Sequence, residues 1–264
     1  MTAPPRTLVV GDVHGHFDRL HARLVEARLI GADGRWAGGS STLVFLGDFF
    51  DRGPHGIDAM DLAMRLETEA AQRGGHVLTL LGNHDVLILA ARRFGEREAG
   101  GPGGTFLADW RMNGGEERDL ERLTGAHVAW LARRPALLRL GGTLLAHADA
   151  TFYARYGGTV EEVNAAFARL LGGGDAPAWD RLLGEFAERD AFLGEDGRHR
   201  LDRFLTRFGA GRLVHGHTPI ARVTGQPPGG VTGAYTYAGG RAVNVDPGLY
   251  LGGPGFIHEL NSGR

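Results

Sequence analysis

Five short phrases in this 264-residue chain carry the side chains that a pair of divalent cations would require. Gly11-Asp12-Val13-His14-Gly15 follows the apolar run Leu8-Val9-Val10, and Gly47-Asp48-Phe49-Phe50-Asp51-Arg52-Gly53 follows Leu43 to Leu46. Gly82-Asn83-His84-Asp85 follows Val77 to Leu81, His147-Ala148-Asp149 follows Leu144 to Ala146, and His215-Gly216-His217-Thr218-Pro219 follows Leu213-Val214. One Asp-x-His is common at a turn, but five such phrases in order, each at an expected strand end, describe a site. Asp12 and His14 are two apart, and the two-residue period of a strand puts both on one side. Asp48, at the next strand end, could bridge two cations, while Asn83, His147 and His217 could complete the second through an amide oxygen and two imidazoles. A mixed oxygen and imidazole set without sulfur suits manganese, iron or zinc better than calcium. Two such ions, about 3.5–4 Å apart, would generate a bridging hydroxide and clamp an in-line displacement at phosphorus.

The elements that must position these groups read as repeated strand–helix units. Thr7 to Val10, Thr42 to Leu46 and His76 to Leu81 are expected strands; Phe17 to Ile30, Ile57 to Gln72 and Asp85 to Phe94 are expected helices. Asp12 to Asp48 is 36 residues and Asp48 to Asn83 is 35, close to the roughly 30 or more that a βαβ unit takes. The same point therefore recurs at successive strand ends, where open α/β sheets bind ligands, and the phrases should converge. Residues 95–104 read as a glycine-rich loop and 116–135 as helical. Leu137–Leu140 and Thr143–Ala146 around Gly141-Gly142 form a hairpin signal. Two or three amphipathic helices fill 160–208, and short strands resume at Arg212–Val214, Ala242–Asp246 and Phe256–Leu260.

Composition narrows the function classes. At 42% hydrophobic, 23% charged and a formal net charge of −2, the chain lacks the basic face that duplex nucleic acid requires. All 29 basic residues are Arg, in keeping with a GC-rich genome. The chain has no Cys, which excludes disulfides, thiolate ligands and a thiol nucleophile. No apolar run approaches the ~18 residues of a membrane span, and Met1 to Arg6 carries no leader-like apolar segment, so a cytoplasmic setting is expected. His215 is assigned to the turn or to support of a ligand. Asp149 and Asp246 could orient histidines or serve as surface caps. His16, His21, His55, His76, His127, His199 and His258 are assigned no chemistry. Phe49, Phe50, Met60 and Met64 are assigned to core or wall.

In their order, the phrases resemble the signature of calcineurin-like metallophosphoesterases, and more narrowly of the phosphoprotein phosphatase superfamily, from residue 8 to about 248. The stretch Trp110 to Gly115 and His147-Ala148-Asp149 resemble bacterial and phage-lambda-type serine/threonine phosphatases. Leu29 to Trp36, with Gly74-Gly75, is similar to the Shewanella-like branch. The resemblance implies one α/β catalytic domain over 1–264: a metallophosphoesterase sandwich of two mixed sheets flanked by helices, with helical cap segments at about 95–135 and 155–208. It implies a first metal held by Asp12, His14 and Asp48, and a second by Asp48, Asn83, His147 and His217. Two divalent ions are expected, manganese before iron or zinc. His84 would be the general acid, oriented by Asp51, and Arg52 would fork onto phosphate oxygens. The implied substrate is a phosphorylated protein or small phosphoester. Two departures stand out. Asp85 replaces the usual Glu, as in diadenosine tetraphosphatase-like members, which opens dinucleoside polyphosphate hydrolysis as an alternative. Leu81 stands where an Arg often precedes the motif. A second phosphate-clamping Arg has no motif to mark it; Arg111 and Arg155 are candidates, and Asn113 is a third substrate contact to consider.

Overall fold

The computed structural model describes residues 5–260. Strands β1 (Thr7–Val10), β2 (Thr42–Phe45) and β3 (His76–Thr79) pair in parallel in a sheet ordered β3-β2-β1-β9, its last strand β9 (His258–Glu259) running antiparallel to β1. The second sheet contains β4 (Leu137–Leu140), β5 (Thr143–Ala146), β6 (Arg212–His215), β7 (Tyr235–Tyr237) and β8 (Ala242–Asn244) in the order β4-β5-β6-β8-β7. Its three central strands are parallel and its two edge strands antiparallel. Both sheets are mixed, as expected.

Strand alternation explains the unbroken apolar runs. Val9, Val44 and Leu80 meet Leu145, Val214 and Val243 in one buried cluster between the sheets. Their neighbours Leu8, Val10, Leu43, Phe45, Leu144 and Leu213 join a second cluster, formed with the helices. A strand covered on both faces has no polar side to present. Packing two such sheets face to face brings the carboxyl ends of the five phrase-bearing strands toward one region.

Helices α1 (Phe17–Glu26), α2 (Gly56–Ala71) and α3 (Asn83–Phe94) connect the first sheet. The first is shorter than its periodicity suggests. Arg28 takes a left-handed φ of 58° and Ile30 turns back to pair with Trp36. The third starts two residues early, at Asn83, because Gly82 is its extended N-terminal cap. The expected helix over 116–135 is two, α5 (Glu117–Arg122) and α6 (Gly125–Leu131), broken where Thr124 accepts His127 N–H at 3.3 Å. Helix α4 (Phe106–Met112), α10 (Ile220–Thr224) and β7 are too short to leave a period in the sequence. Three helices, α7 (Val160–Gly172), α8 (Ala176–Glu185) and α9 (Gly197–Arg207), fill 160–208. Helices α4 and α8 pack on α3, α5 on α2, and α7 on β4. Met60, Phe49 and Phe50 are fully buried, and Met64 packs against the same core. No helix among the described residues is long and apolar enough to cross a membrane.

Candidate active site

Each phrase leaves its strand in a tight turn, and the turns are where backbone freedom is spent. Five non-glycine residues of the phrases have positive φ: His14 (47°), Asp48 (54°), Asp51 (69°), Arg52 (68°) and His217 (67°). Such conformations cost of order 1–3 kcal/mol each and persist only where the surroundings enforce them. They also correct one expectation. Asp12 and His14 lie beyond β1, not in it, so strand alternation does not align them; the turn does. Glycines permit the crowding. A Cβ at Gly82 would lie 2.2 Å from Asp48 Oδ1, and one at Gly216 would lie 2.3 Å from Asp12 Oδ1.

The six expected ligands converge. His14, Asp48 and His84 present ligand atoms within 4.8 Å of one another, and so do Asp48, His147 and His217, with Asp48 common to both groups. His147 donates Nδ1–H to Leu46 O at 2.9 Å, so its Nε2 carries a lone pair. That lone pair faces Asn83 Oδ1 at 2.9 Å, His217 Nδ1 at 3.2 Å and Asp48 Oδ1 at 3.4 Å. His14 is fixed in the same way: Nδ1 bonds Phe50 O at 2.9 Å, and Nε2 faces Asp48 Oδ2 at 3.6 Å and Asp12 Oδ2 at 3.8 Å. Acceptors aimed at acceptors in a dry pocket repel unless positive charge lies between them. Burial pushes the Asp12 carboxyl up to about 6 and Asp48 up to about 7, and holds His14, His147 and His217 below the usual imidazole value. Without a cation the pocket thus disfavours its own ionised carboxylates and adds no imidazolium to offset them. The donor set fits two divalent cations of the manganese, iron or zinc type.

Beside this cluster, His84 Nδ1 meets Asp51 Oδ2 at 2.6 Å, and Trp110 Nε1 donates to Asp51 Oδ1 at 2.8 Å. Arg52 donates Nη1 to His14 Nε2 at 2.8 Å and Nη2 to His84 Nε2 at 2.9 Å. Its backbone N–H bonds Gly114 O at 2.7 Å. The Trp110–Gly115 stretch therefore buttresses Asp51 and Arg52. Asp85 is buried and accepts the amides of Asp48 (2.9 Å), Phe49 (3.1 Å) and Gly82 (2.9 Å). It shapes the Asp48 turn and is fully occupied in doing so.

The candidate substrate residues divide. Arg111 is exposed and pairs with Glu117 and Glu96; Arg155 is exposed and pairs with Glu185. Asn113 donates to Asp109 O at 2.8 Å and lines a cleft of about 460 Å³ that reaches Asn83. Arg189, which no motif marks, lines the same cleft, donates Nη1 to His217 O, and is close enough for its charge to act on Asp48 and His147. Two carboxylates hold its loop. Glu188 accepts Thr151 N–H and Phe152 N–H, both at 3.0 Å, and Asp149 accepts Asp190 N–H at 2.9 Å and Thr218 Oγ1–H at 2.7 Å. Asp149 thus ties loops together and orients no histidine ring. Buried Asp246 accepts Gly248 N–H at 2.8 Å, so it is no surface cap. His215 is buried behind the site and bonds the Tyr237 hydroxyl at 2.9 Å.

Fold and candidate site together are those of a metallophosphoesterase, and the similarities agree. Residues 5–221 match the calcineurin-like phosphoesterase family, and the chain belongs to it. It is 36% identical over 84 residues to Shewanella-like protein phosphatase 2 of Arabidopsis thaliana, covering 32% of this chain and 22% of that protein. It is 31% identical over 140 residues to the symmetrical bis(5'-nucleosyl)-tetraphosphatase of Neisseria gonorrhoeae, covering 53% of this chain and 41% of that one. The matches thus span less than half the length of either relative. Among solved structures, the cold-active protein-tyrosine phosphatase of a psychrophilic Shewanella species superposes with a TM-score of 0.72 at 22% identity, covering 98% of this chain and 76% of that one. That likeness establishes the shared fold.

Proposed function

We propose that the protein is a two-metal phosphomonoesterase acting on phosphorylated proteins, at phosphoserine, phosphothreonine or phosphotyrosine. Residues 1–264 would form one catalytic domain, its helical segments walling the site. Asp12, His14 and Asp48 would hold one divalent cation, and Asp48, Asn83, His147 and His217 the other, with manganese the first choice. Bound there, the pair would supply Lewis acidity and lower the pKa of the attacking water. The observation that carries the reading is the buried carboxylate and imidazole cluster around Asp48, standing beside a His84–Asp51 pair and a guanidinium.

Asp51 would stabilise the His84 imidazolium through Nδ1–H, leaving Nε2 to deliver a proton to the leaving-group oxygen. Arg52 now donates to that same Nε2. Engaging a phosphoryl group would turn its donors away and free Nε2 for the proton. Arg189 would be the second clamp, because its guanidinium borders the cleft at Asn83 whereas Arg111 and Arg155 are occupied at the surface.

Hydrolysis of a dinucleoside polyphosphate is the second reading, favoured by the Neisseria relative. It requires several cations for the extra phosphates and a wall for a nucleoside. The cleft offers Arg189 alone as a cation and sets Asp109 and Asp180 in its lining. Asp85, the residue that first suggested a dinucleotide, is consumed by three backbone amides. The phosphopeptide reading is therefore preferred. Its test is kcat/KM on a phosphopeptide set against diadenosine tetraphosphate, with manganese added; a preference for the dinucleotide of about tenfold or more, ~1.4 kcal/mol in the transition state, would reverse it.

A further inference from the structure

Tyr250 belongs to none of the phrases, yet it lies against two of them. Its ring covers the Arg52 guanidinium face, 4.1 Å from Cζ to ring centroid, and meets the His14 ring edge-on at 5.0 Å. It sits in the turn Leu249–Leu251, which is bracketed by Gly248 (φ 62°) and Gly252 (φ 101°), both left-handed. Arg19 of α1 straps that turn, donating Nη1 to Leu249 O at 3.2 Å and to Gly253 O. A chain of contacts thus runs from α1 through the turn to the guanidinium.

The geometry of a guanidinium makes this arrangement consequential. Its N–H donors lie in its plane, while its faces bind aromatic rings without using a donor. In the structure both terminal nitrogens of Arg52 bond imidazoles. If His14 Nε2 serves a cation, Arg52 loses that partner, and its plane is then held by the backbone bond to Gly114 and by the Tyr250 face. We infer that Tyr250 is a positioning residue: its ring fixes the plane of Arg52 so that both terminal nitrogens reach the phosphoryl oxygens, and Arg19 sets the ring through the turn. The inference rests on Arg52 being a phosphate clamp, as proposed above.

A double-mutant cycle tests it, with 4-nitrophenyl phosphate and a phosphopeptide as substrates and metal content measured for every variant. Tyr250→Leu removes the ring and is expected to lower kcat/KM about fivefold to twentyfold, the scale of a partly desolvated cation–π contact. Tyr250→Phe keeps the ring and should stay within about twofold of the parent. In the Arg52→Ala background, Tyr250→Leu should cost less than about twofold, because contacting residues are coupled. Arg19→Gln should give a smaller loss that is likewise suppressed without Arg52. Equal damage by Tyr250→Phe and Tyr250→Leu would overturn the inference in favour of the hydroxyl. Undiminished loss in the Arg52→Ala background would also overturn it, while leaving the clamp intact. An Arg52→Ala variant with unchanged kcat/KM would overturn the clamp itself and this inference with it.

Discussion

The loops after β1, β2 and β3 and the helical wall formed by 95–131 and 160–196 are built on opposite principles. In the loops nearly every polar atom points inward or is committed to holding one that does, and positive φ angles and glycines tolerate the crowding. In the wall several side chains are engaged at the surface: Arg111 with Glu117, Glu185 with Arg155, and Asp180 with the Gly100 amide at 3.0 Å. Arg189 instead borders the cleft, and two carboxylates hold its loop. The contrast separates chemistry from selection. On the proposed function, the tightly constrained loops would carry the reaction and the wall would fit the substrate.

The strongest attempt to break this division is Asp48→Asn. It removes the carboxylate shared by both ligand groups, and turnover should fall below detection, with bound metal lost by elemental analysis. His84→Ala should lower kcat by about 10²–10⁴ with little change in KM. That loss should shrink on aryl phosphates, whose leaving groups need less protonation; equal losses on alkyl and aryl substrates would assign His84 a structural role. Gly216→Ala presses a methyl against the Asp12 carboxylate and should weaken metal affinity about 10–100-fold, read by metal titration of a variant that still folds. A parent-like affinity would mean that the turn has room to spare.

Predictions for the wall are smaller. Arg189→Ala should reduce kcat/KM about tenfold, equivalent to ~1.4 kcal/mol. Arg111→Ala and Arg155→Ala, which break exposed ion pairs, should stay within about twofold. The reverse ranking would move the second clamp. Trp110→Phe, which deletes one hydrogen bond to Asp51, should lower kcat about threefold to tenfold, the scale of a single buried bond. A loss comparable to that of His84→Ala would make Trp110 part of the acid itself.

Most of the candidate site was legible in sequence because strand ends carry a local signature. An apolar run buried on both faces stops where the chain must turn, and the residues there face the carboxyl end of the sheet. Asp12, His14, Asp48, Asn83, His147 and His217 could therefore be placed together from periodicity and spacing, and the structure brings them together. What periodicity could not supply was backbone conformation. His14 and Asp48 reach the centre through left-handed φ angles that a strand pattern does not encode.

Tertiary structure alone decided the rest. Arg189 follows an amphipathic helix and lies within an ordinary charged run, and Asp149 resembled a histidine support or a surface cap. Their roles depend on hydrogen bonds between residues 37 and 41 positions apart, and such long-range pairs share no period that a sequence can display. Asp85 raised a dinucleotide alternative in the sequence, and only the fold shows its three amide partners. Tyr250 gains a role only because a strapped turn from the end of the chain folds back over Arg52. The sequence determined the candidate ligand residues and their order along the chain, since both follow from local patterning. Which guanidinium borders the cleft, and which ring covers Arg52, were decided by packing between segments that no local rule connects.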